Sequence, residues 1–80
     1  MITFYTMDGC QRCYSVKAHL EHYQIPFIEK NILEVPQAAQ ELQEIIGEVT
    51  VPVVLTARSI YKGRTLLSLL QQISFLNPTR

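Results

Sequence analysis

The sequence lacks an excess of charge of either sign. Seven lysines and arginines balance seven aspartates and glutamates, so the formal net charge at pH 7 is zero. Electrostatic attachment to nucleic acid or to an anionic membrane depends on a basic surface, and the overall charge gives no reason to expect either partner. We expect a specific protein or a small molecule as the partner instead.

Long apolar stretches are also absent. No segment approaches the ~20 apolar residues that cross a bilayer, and Met1 to Thr6 lack the charged head and cleavage site of a signal peptide. We therefore expect a cytoplasmic protein without membrane attachment. The 80 residues, 48% of them hydrophobic, suffice for one domain spanning 1–80, since a chain of this size buries about 60% of its unfolded surface.

Cysteine is scarce, and its two copies are close together at Cys10 and Cys13. A disulfide between them would close a ring so short that it constrains the unfolded chain by only about 2 kcal/mol. Cytosolic thiols are kept reduced, and the disulfides that do form there are usually catalytic or sensing. The pair therefore indicates redox chemistry more than structural cross-linking.

Hydrophobic periodicity predicts a strand, helix, strand, helix, strand, strand and helix, with no internal repeat. The predicted elements are Ile2–Thr6, Cys10–Tyr23, Pro26–Lys30, a helix from Pro36 that stops at Gly47, Val51–Leu55, Ser59–Tyr61, and a helix with the apolar stripe Leu66, Leu69, Leu70 and Ile73. The buried face of the second helix is predicted to be Ala38, Leu42, Ile45 and Ile46. We expect residues 77–80 to fray.

The connections between these elements predict a sheet of mixed direction. Strand–helix–strand at the front implies a parallel pair, whereas Thr56-Ala57-Arg58 is too short for a crossover and implies an antiparallel hairpin. The expected fold class is therefore α/β, with a four-stranded mixed sheet flanked by three helices.

The chemistry-bearing segment is Cys10-Gln11-Arg12-Cys13, at the junction of the first strand and first helix. Free N–H groups and the positive end of the helix dipole stabilise a thiolate, and Arg12 adds a nearby positive charge. We therefore expect Cys10 to be the nucleophile. Cys13, one turn further on and on the apolar stripe, should be less exposed and should resolve the mixed disulfide.

The two cysteines admit two other interpretations. His19 and His22 follow closely and suggest zinc, but at ~100° per residue His22 lies about 180° from Cys13 around the helix, so the four side chains would not converge on one ion. Both histidines are then expected to be solvated surface residues. Idle buried cysteines remain the second alternative.

Together, Tyr5-Thr6 at a strand end, the Cys-x-x-Cys segment and Thr50-Val51-Pro52 before a hydrophobic strand resemble the glutaredoxin branch of the thioredoxin superfamily. The resemblance implies a thioredoxin-like fold and thiol-disulfide oxidoreductase activity without a tightly bound cofactor. It also implies that the Val51-Pro52 bond is cis beside Cys10 and that the Val51 backbone pairs with an extended substrate.

This chain departs from the pattern of the glutathione-using glutaredoxins at two places. Met7 stands where those proteins carry a lysine, and 61–65 (Tyr-Lys-Gly-Arg-Thr) lack their Gly-Gly turn and acidic residue. The segments 61–66 and 35–39 are similar to NrdH-type redoxins, which take electrons from NADPH through thioredoxin reductase and pass them to ribonucleotide reductase. We expect thioredoxin reductase, ahead of glutathione, to reduce this protein.

The predicted substrate-binding residues are Arg12, Tyr14, Thr50, Val51 and Pro52. Tyr14, with Tyr5 and Tyr61, either lines a groove or simply packs. A cluster of Arg58, Lys62 and Arg64 is either solvated surface or a contact for an acidic partner or a glutathione carboxylate. We expect a monomer with protein disulfides as substrates.

Two alternatives of a different class remain open. The opening through Asn31 also resembles transcription regulators of the Spx type, which use a similar Cys-x-x-Cys as a redox switch; those chains are longer and lack a Thr-Val-Pro segment. Some glutaredoxins instead carry an iron–sulfur cluster between two subunits, each supplying the residue that corresponds to Cys10. A visible absorption spectrum after reconstitution distinguishes this last role.

Overall fold

Seven elements follow one another in the computed structural model, which describes residues 2–76. They are β1 (Ile2–Thr6), α1 (Gln11–His22), β2 (Phe27–Asn31), α2 (Pro36–Ile46), β3 (Val53–Leu55), β4 (Ile60–Lys62) and α3 (Arg64–Leu76). The order confirms the prediction, and the boundaries differ by a residue or two. β3 begins at Val53 and not at Val51, since Pro52 has no N–H to donate to a sheet. The expectation for 77–80 lies outside the described residues.

The four strands form one mixed sheet in the order β2-β1-β3-β4. β1 pairs in parallel with β2 and antiparallel with β3, and β3 and β4 form the predicted antiparallel hairpin. Thr56 closes the hairpin: its N–H donates to the Ser59 carbonyl at 2.9 Å, and its hydroxyl accepts from the Ser59 N–H at 3.0 Å. The expected thioredoxin-like α/β class is confirmed.

The helices cover both faces of the sheet. Successive side chains of a strand point to opposite faces, so Phe4 and Tyr5 of β1 enter different clusters of buried residues. The first cluster joins β1 and β3 to α1 and α3, and comprises Phe4, Cys13, Val16, Leu20, Val54 and Leu66. The second joins the sheet to α2, and comprises Tyr5, Ala38, Leu42 and Val53.

The three helices are short, with 12, 11 and 13 residues. Helices of this length are marginal alone and depend on the packing of an apolar face. No helix within residues 2–76 has the length and apolar character needed to cross a membrane.

The ends of α2 follow the sequence signals. Pro36 occupies its first turn, and Gly47 ends it in the left-handed conformation at φ 79°, which glycine adopts at little cost. The prediction that Ile45 is buried is wrong, because its side chain is 46% exposed. Ile45 lies about 60° around the helix from Leu42, the centre of the buried face, and so reaches the edge of that face.

Tyr5 is buried in the second cluster, and its hydroxyl is hydrogen-bonded. The hydroxyl donates to Glu41 Oε1 at 2.8 Å, and the Lys30 ammonium lies 2.9 Å from the same oxygen. Burial, followed by the bond to Glu41, raises the pKa of Tyr5 to about 12. Lys30 and then Tyr5 lower the pKa of Glu41.

His19 links α1 to α3, which the sequence analysis did not foresee. Its Nε2 lies 3.1 Å from the Leu70 carbonyl oxygen, and its ring packs beside Tyr23 at 4.9 Å between centroids. The prediction of a merely solvated surface residue is therefore wrong for His19. His22 is exposed.

The first cluster gives a direct test of the fold. Leu20 is completely buried, so Leu20→Ala is expected to lower the free energy of unfolding by about 2–5 kcal/mol, the usual loss for a large-to-small core change. Leu33→Ala is the matched control, because Leu33 is 63% exposed and its loss should stay within about 0.5 kcal/mol. Urea denaturation followed by circular dichroism measures both, and equal losses would contradict the described core.

Candidate redox site

The cysteines begin on a tight turn between β1 and α1. Gly9 takes φ 82°, a conformation that side chains rarely tolerate, and the Cys10 N–H donates to the Met7 carbonyl at 3.2 Å. Asn31, at the end of β2, fixes the turn from the side: its amide donates to the Asp8 carboxylate at 2.7 Å. The turn is thus held by β1, from which it continues, and by β2, through Asn31.

Cys10 and Cys13 are joined by a disulfide across the first turn of α1, with their Cα atoms 5.2 Å apart. Cys10 is the N-cap residue, and its Sγ accepts a hydrogen bond from the Cys13 N–H at 3.1 Å. When the pair is reduced, this N–H and the positive end of the helix dipole favour a thiolate at Cys10. Cys10 is half-buried whereas Cys13 is only 1% exposed, which confirms the predicted difference in exposure.

A groove of about 640 Å³ runs beside the start of α1. Four predicted substrate-binding residues line it: Arg12, Thr50, Val51 and Pro52. The Val51-Pro52 bond is cis, as predicted. Cys10 and Val51 both pack against the first core cluster, so the disulfide and the cis-proline segment are supported by the same group of buried side chains.

The three tyrosines considered for the groove take other positions. Tyr14 is 57% exposed and lines a second cleft, together with Cys13, Lys17 and Glu29. Its hydroxyl accepts a hydrogen bond from the Gly9 N–H at 3.2 Å, within the cysteine turn. Tyr5 is buried in the second core cluster, and Tyr61 packs on the first.

The second cleft contains a bonded carboxylate that the sequence analysis missed. Glu29 accepts from the Thr6 hydroxyl at 2.9 Å and pairs with the Lys17 ammonium at 2.9 Å. The bond from Lys17, partly opposed by burial and aided by Thr6, lowers the pKa of Glu29. Strand alternation offers a signal for the position of Glu29, because it places Phe27, Glu29 and Asn31 on one face of β2. In the sheet Glu29 is paired with Phe4 of β1 and lies on the same face.

An ion pair forms part of the groove lining. Lys62, at the end of β4, pairs with Glu48 from the loop after α2. The Lys62 N–H also donates to the Thr65 hydroxyl at 2.9 Å, which holds the start of α3 against β4. Of the basic cluster considered from the sequence, Lys62 and Arg64 line the groove and Arg58 does not.

Within residues 2–76 no group of three or more histidine, cysteine, aspartate or glutamate side chains is arranged to hold an ion. The described cysteine pair is instead disulfide-bonded.

A cysteine pair at the start of the helix after β1, a cis proline before β3 and the sheet order β2-β1-β3-β4 define a thioredoxin-fold protein with a redox-type site. A sequence model of the glutaredoxin family matches residues 2–59. The chain belongs to the glutaredoxin family, as the resemblance in its motifs implied.

Several solved structures are similar in fold to this protein over most of its chain. The crystal structure of the thioredoxin-like protein BC3987 is similar with a TM-score of 0.79 and 25% identity, covering 91% of this chain and 99% of that one. The NrdH-redoxin from Escherichia coli is similar with a TM-score of 0.74 and 28% identity, covering 89% and 91%. Glutaredoxin from Brucella melitensis gives 0.69 and 27%, covering 92% and 82%.

Curated relatives match a shorter part. The global transcriptional regulator Spx of Bacillus subtilis (strain 168) is 39% identical over 46 residues, which are 58% of this chain and 35% of that protein. Spx of Streptococcus pneumoniae (strain R6) is 41% identical over 47 residues, 59% of this chain and 35% of the relative. The chain thus spans about a third of the length of these relatives, and the match is longer than the stretch through Asn31 noted from the sequence.

The pairing of Glu29 leads to a prediction about pH. Because Lys17 lowers the pKa of Glu29, Lys17→Met should raise that pKa, leaving burial and the weaker Thr6 bond. The pair stabilises the fold above the ordinary pKa of glutamate, and the contribution is lost as the pH falls through the lowered value. Carboxyl chemical shifts in an NMR titration measure the change. Lys30→Met is the matched control: it should raise the pKa of Glu41 and leave Glu29 unchanged.

Proposed function

We propose that this protein is a thiol-disulfide oxidoreductase that reduces protein disulfides through Cys10 and Cys13. The observation that carries the proposal is the difference between the two sulfurs: Cys10 caps the helix and is half-buried, whereas Cys13 is enclosed in the core. A partner disulfide can approach the first sulfur and is kept from the second. This division of roles is what a dithiol exchange requires.

The exchange proceeds in two substitutions at sulfur. The Cys10 thiolate attacks one sulfur of the partner disulfide; a Cys10–partner bond forms, and the other partner sulfur leaves as a thiolate that takes up a proton. Cys13 then loses its proton and attacks Cys10 Sγ, which releases the second partner sulfur. The partner gains two electrons, and the Cys10–Cys13 disulfide that remains is the oxidised state of this protein.

The groove residues have separate roles in this proposal. The Val51 backbone, turned by Pro52, pairs with an extended substrate chain, and Thr50 borders the same segment. Arg12 lies between the cysteines and contributes positive charge near Cys10. Tyr14, whose hydroxyl joins the cysteine turn, is proposed to bind substrate from the second cleft.

The division of roles between the sulfurs is tested by trapping. Cys13→Ser leaves the proposed nucleophile without its resolving thiol and should accumulate a mixed disulfide with an oxidised substrate protein. Cys10→Ser retains only the buried thiol and should trap little. Non-reducing electrophoresis and mass spectrometry measure the adducts. Equal trapping by both variants, or trapping through Cys13 alone, would contradict the assignment.

We further propose that thioredoxin reductase, using NADPH, is the reductant, and that the protein donates electrons in the manner of NrdH-redoxin, with ribonucleotide reductase as a candidate acceptor. The similar protein from Escherichia coli is described as glutaredoxin-like with a thioredoxin-like activity profile. Met7 places no cation where the glutathione-using proteins carry a lysine, and residues 61–65 hold no acidic side chain for the glutathione amino group. Lys62 is already paired with Glu48, which leaves Arg64 as the cation that could compensate for the lost positive charge. Each missing charge-assisted hydrogen bond weakens recognition by about 1.5–3 kcal/mol, or more than tenfold.

The reductant is tested by comparing two regenerating systems on the same oxidised protein. Thioredoxin reductase from the same host with NADPH should reduce it faster than glutathione at physiological concentration with glutathione reductase. NADPH consumption reports both rates. Efficient turnover with glutathione and none with thioredoxin reductase would restore the ordinary glutaredoxin reductant.

A redox-sensing role is the second candidate, and the identity with Spx over 46 residues favours it. A sensor changes state once, whereas an oxidoreductase turns over. Repeated reduction of a generic disulfide by catalytic amounts of the protein therefore distinguishes the two, and a single stoichiometric exchange would support the sensor.

A further inference from the structure

The basic side chains of the described chain divide into two groups. All three lysines pair with glutamates: Lys17 with Glu29, Lys30 with Glu41, and Lys62 with Glu48. The arginines at 12, 58 and 64 form no ion pair with any residue between 2 and 76. The uncompensated positive charge of the described surface therefore resides on guanidinium groups.

Two of these guanidinium groups belong to the groove at the start of α1, whose lining includes Arg12 of the Cys-x-x-Cys segment but neither cysteine. Arg12 and Arg64 line it together with the Lys62–Glu48 pair, so the lining carries three cations and one anion. Arg58 is outside it. An unpaired guanidinium presents a planar fork of donors that matches a carboxylate in a bidentate manner.

The backbone adds positive potential at the same place. Arg12 lies in the first turn of α1 and Arg64 is the first residue of α3, and neither first turn contains an acidic side chain. A helix N-terminus carries about half a positive charge, which ordinarily favours acidic residues there. Two helix ends and two arginines thus meet at one groove whose lining holds a single anion, Glu48, which is already paired with Lys62.

The floor of the groove is apolar. Leucine side chains of α3 line it next to Val16 and Val51: Leu66, Leu67 and Leu70. Leu67 is 62% exposed, so an apolar side chain of a partner would remove additional surface from water when it lies there. A peptide segment with one apolar residue complements this floor, whereas glutathione brings a charged amino group and little apolar surface.

We propose that the groove selects protein segments in which acidic residues flank the reactive cysteines and an apolar side chain lies on the α3 leucines. The inference rests on the proposed oxidoreductase function and adds the kind of partner. Carboxylates of the segment bind Arg12 and Arg64, and its backbone follows Val51 past the disulfide.

The test uses three synthetic peptides with the same disulfide and the same leucine, flanked by acidic, neutral or basic residues. The reduced protein should reduce the acidic peptide about tenfold faster than the neutral one, and the basic peptide slowest. Arg12→Gln and Arg64→Gln should each remove about threefold of that preference, as expected for exposed ion pairs. Raising the salt concentration should diminish it as well.

Two controls separate charge recognition from thiol reactivity. Arg58→Gln makes the same charge change outside the groove and should keep the full preference. Hydroxyethyl disulfide has no charge, so its rate reports the Cys10 thiolate alone and normalises each variant. Equal rates for acidic and neutral peptides, an equal effect of Arg58→Gln, or a uniform loss that includes hydroxyethyl disulfide would overturn the inference while leaving the oxidoreductase intact.

Two further outcomes are decisive. A dependence on Arg12 and Arg64 that appears with glutathione disulfide but not with the acidic peptide would make the groove a glutathione site and overturn the inference. Failure to reduce any disulfide, hydroxyethyl disulfide included, would overturn the proposed function and the inference with it.

Discussion

The pairing of β1 on both sides fixes the position of everything at the redox site. β1 is hydrogen-bonded to β2 and β3 and contributes a side chain to each core cluster, so its end cannot shift without disturbing both. The cysteine turn follows directly from that end. In the antiparallel register Tyr5 lies opposite Val53, and the residues before Val53 therefore extend past the end of β1. This places Val51 and Pro52 at the end of β1 from which the cysteine turn leaves, and Val51 and Cys10 pack on the same core cluster.

The same topology explains why two helices begin at one groove. β3 is antiparallel to β1, and β4 is antiparallel to β3, so β4 runs in the direction of β1. Lys62 at the end of β4 is level with Val53, and Val53 with Tyr5. α1 and α3 consequently start at the same end of the strands. The positive ends of the two helix dipoles therefore lie near Arg12 and Arg64, which belong to the first turns of these helices. This strand order places two helix N-termini at one end of the sheet, and their dipoles contribute positive potential there whatever side chains are present.

The order of the helices and strands and the position of the cysteine pair could be predicted from the sequence, because their signals are local. Strand alternation, helical spacing and the Pro36 and Gly47 boundaries each lie within a short window, and the cis bond came from the family resemblance. The Lys17–Glu29 and Lys62–Glu48 pairs depend on which residues of distant elements face one another, and periodicity within one element does not contain that information. The position of Tyr14 in the second cleft was not predicted for the same reason, since it depends on which distant residues surround that face of α1.

A net charge of zero describes the whole chain and not its distribution. Glutamates compensate the lysines at short range, and at such distances each pair contributes little to the field felt further away. What remains is the field of the unpaired arginines, of the helix ends and of four unpaired carboxylates between residues 2 and 76. These carboxylates lie outside the groove, at Asp8, Glu21, Glu34 and Glu44. Overall composition gave no reason to expect an electrostatic partner, yet the described structure places two of its three unpaired arginines in one groove at the start of α1. A neutral chain can therefore concentrate positive charge in one groove while unpaired negative charge lies elsewhere on its surface.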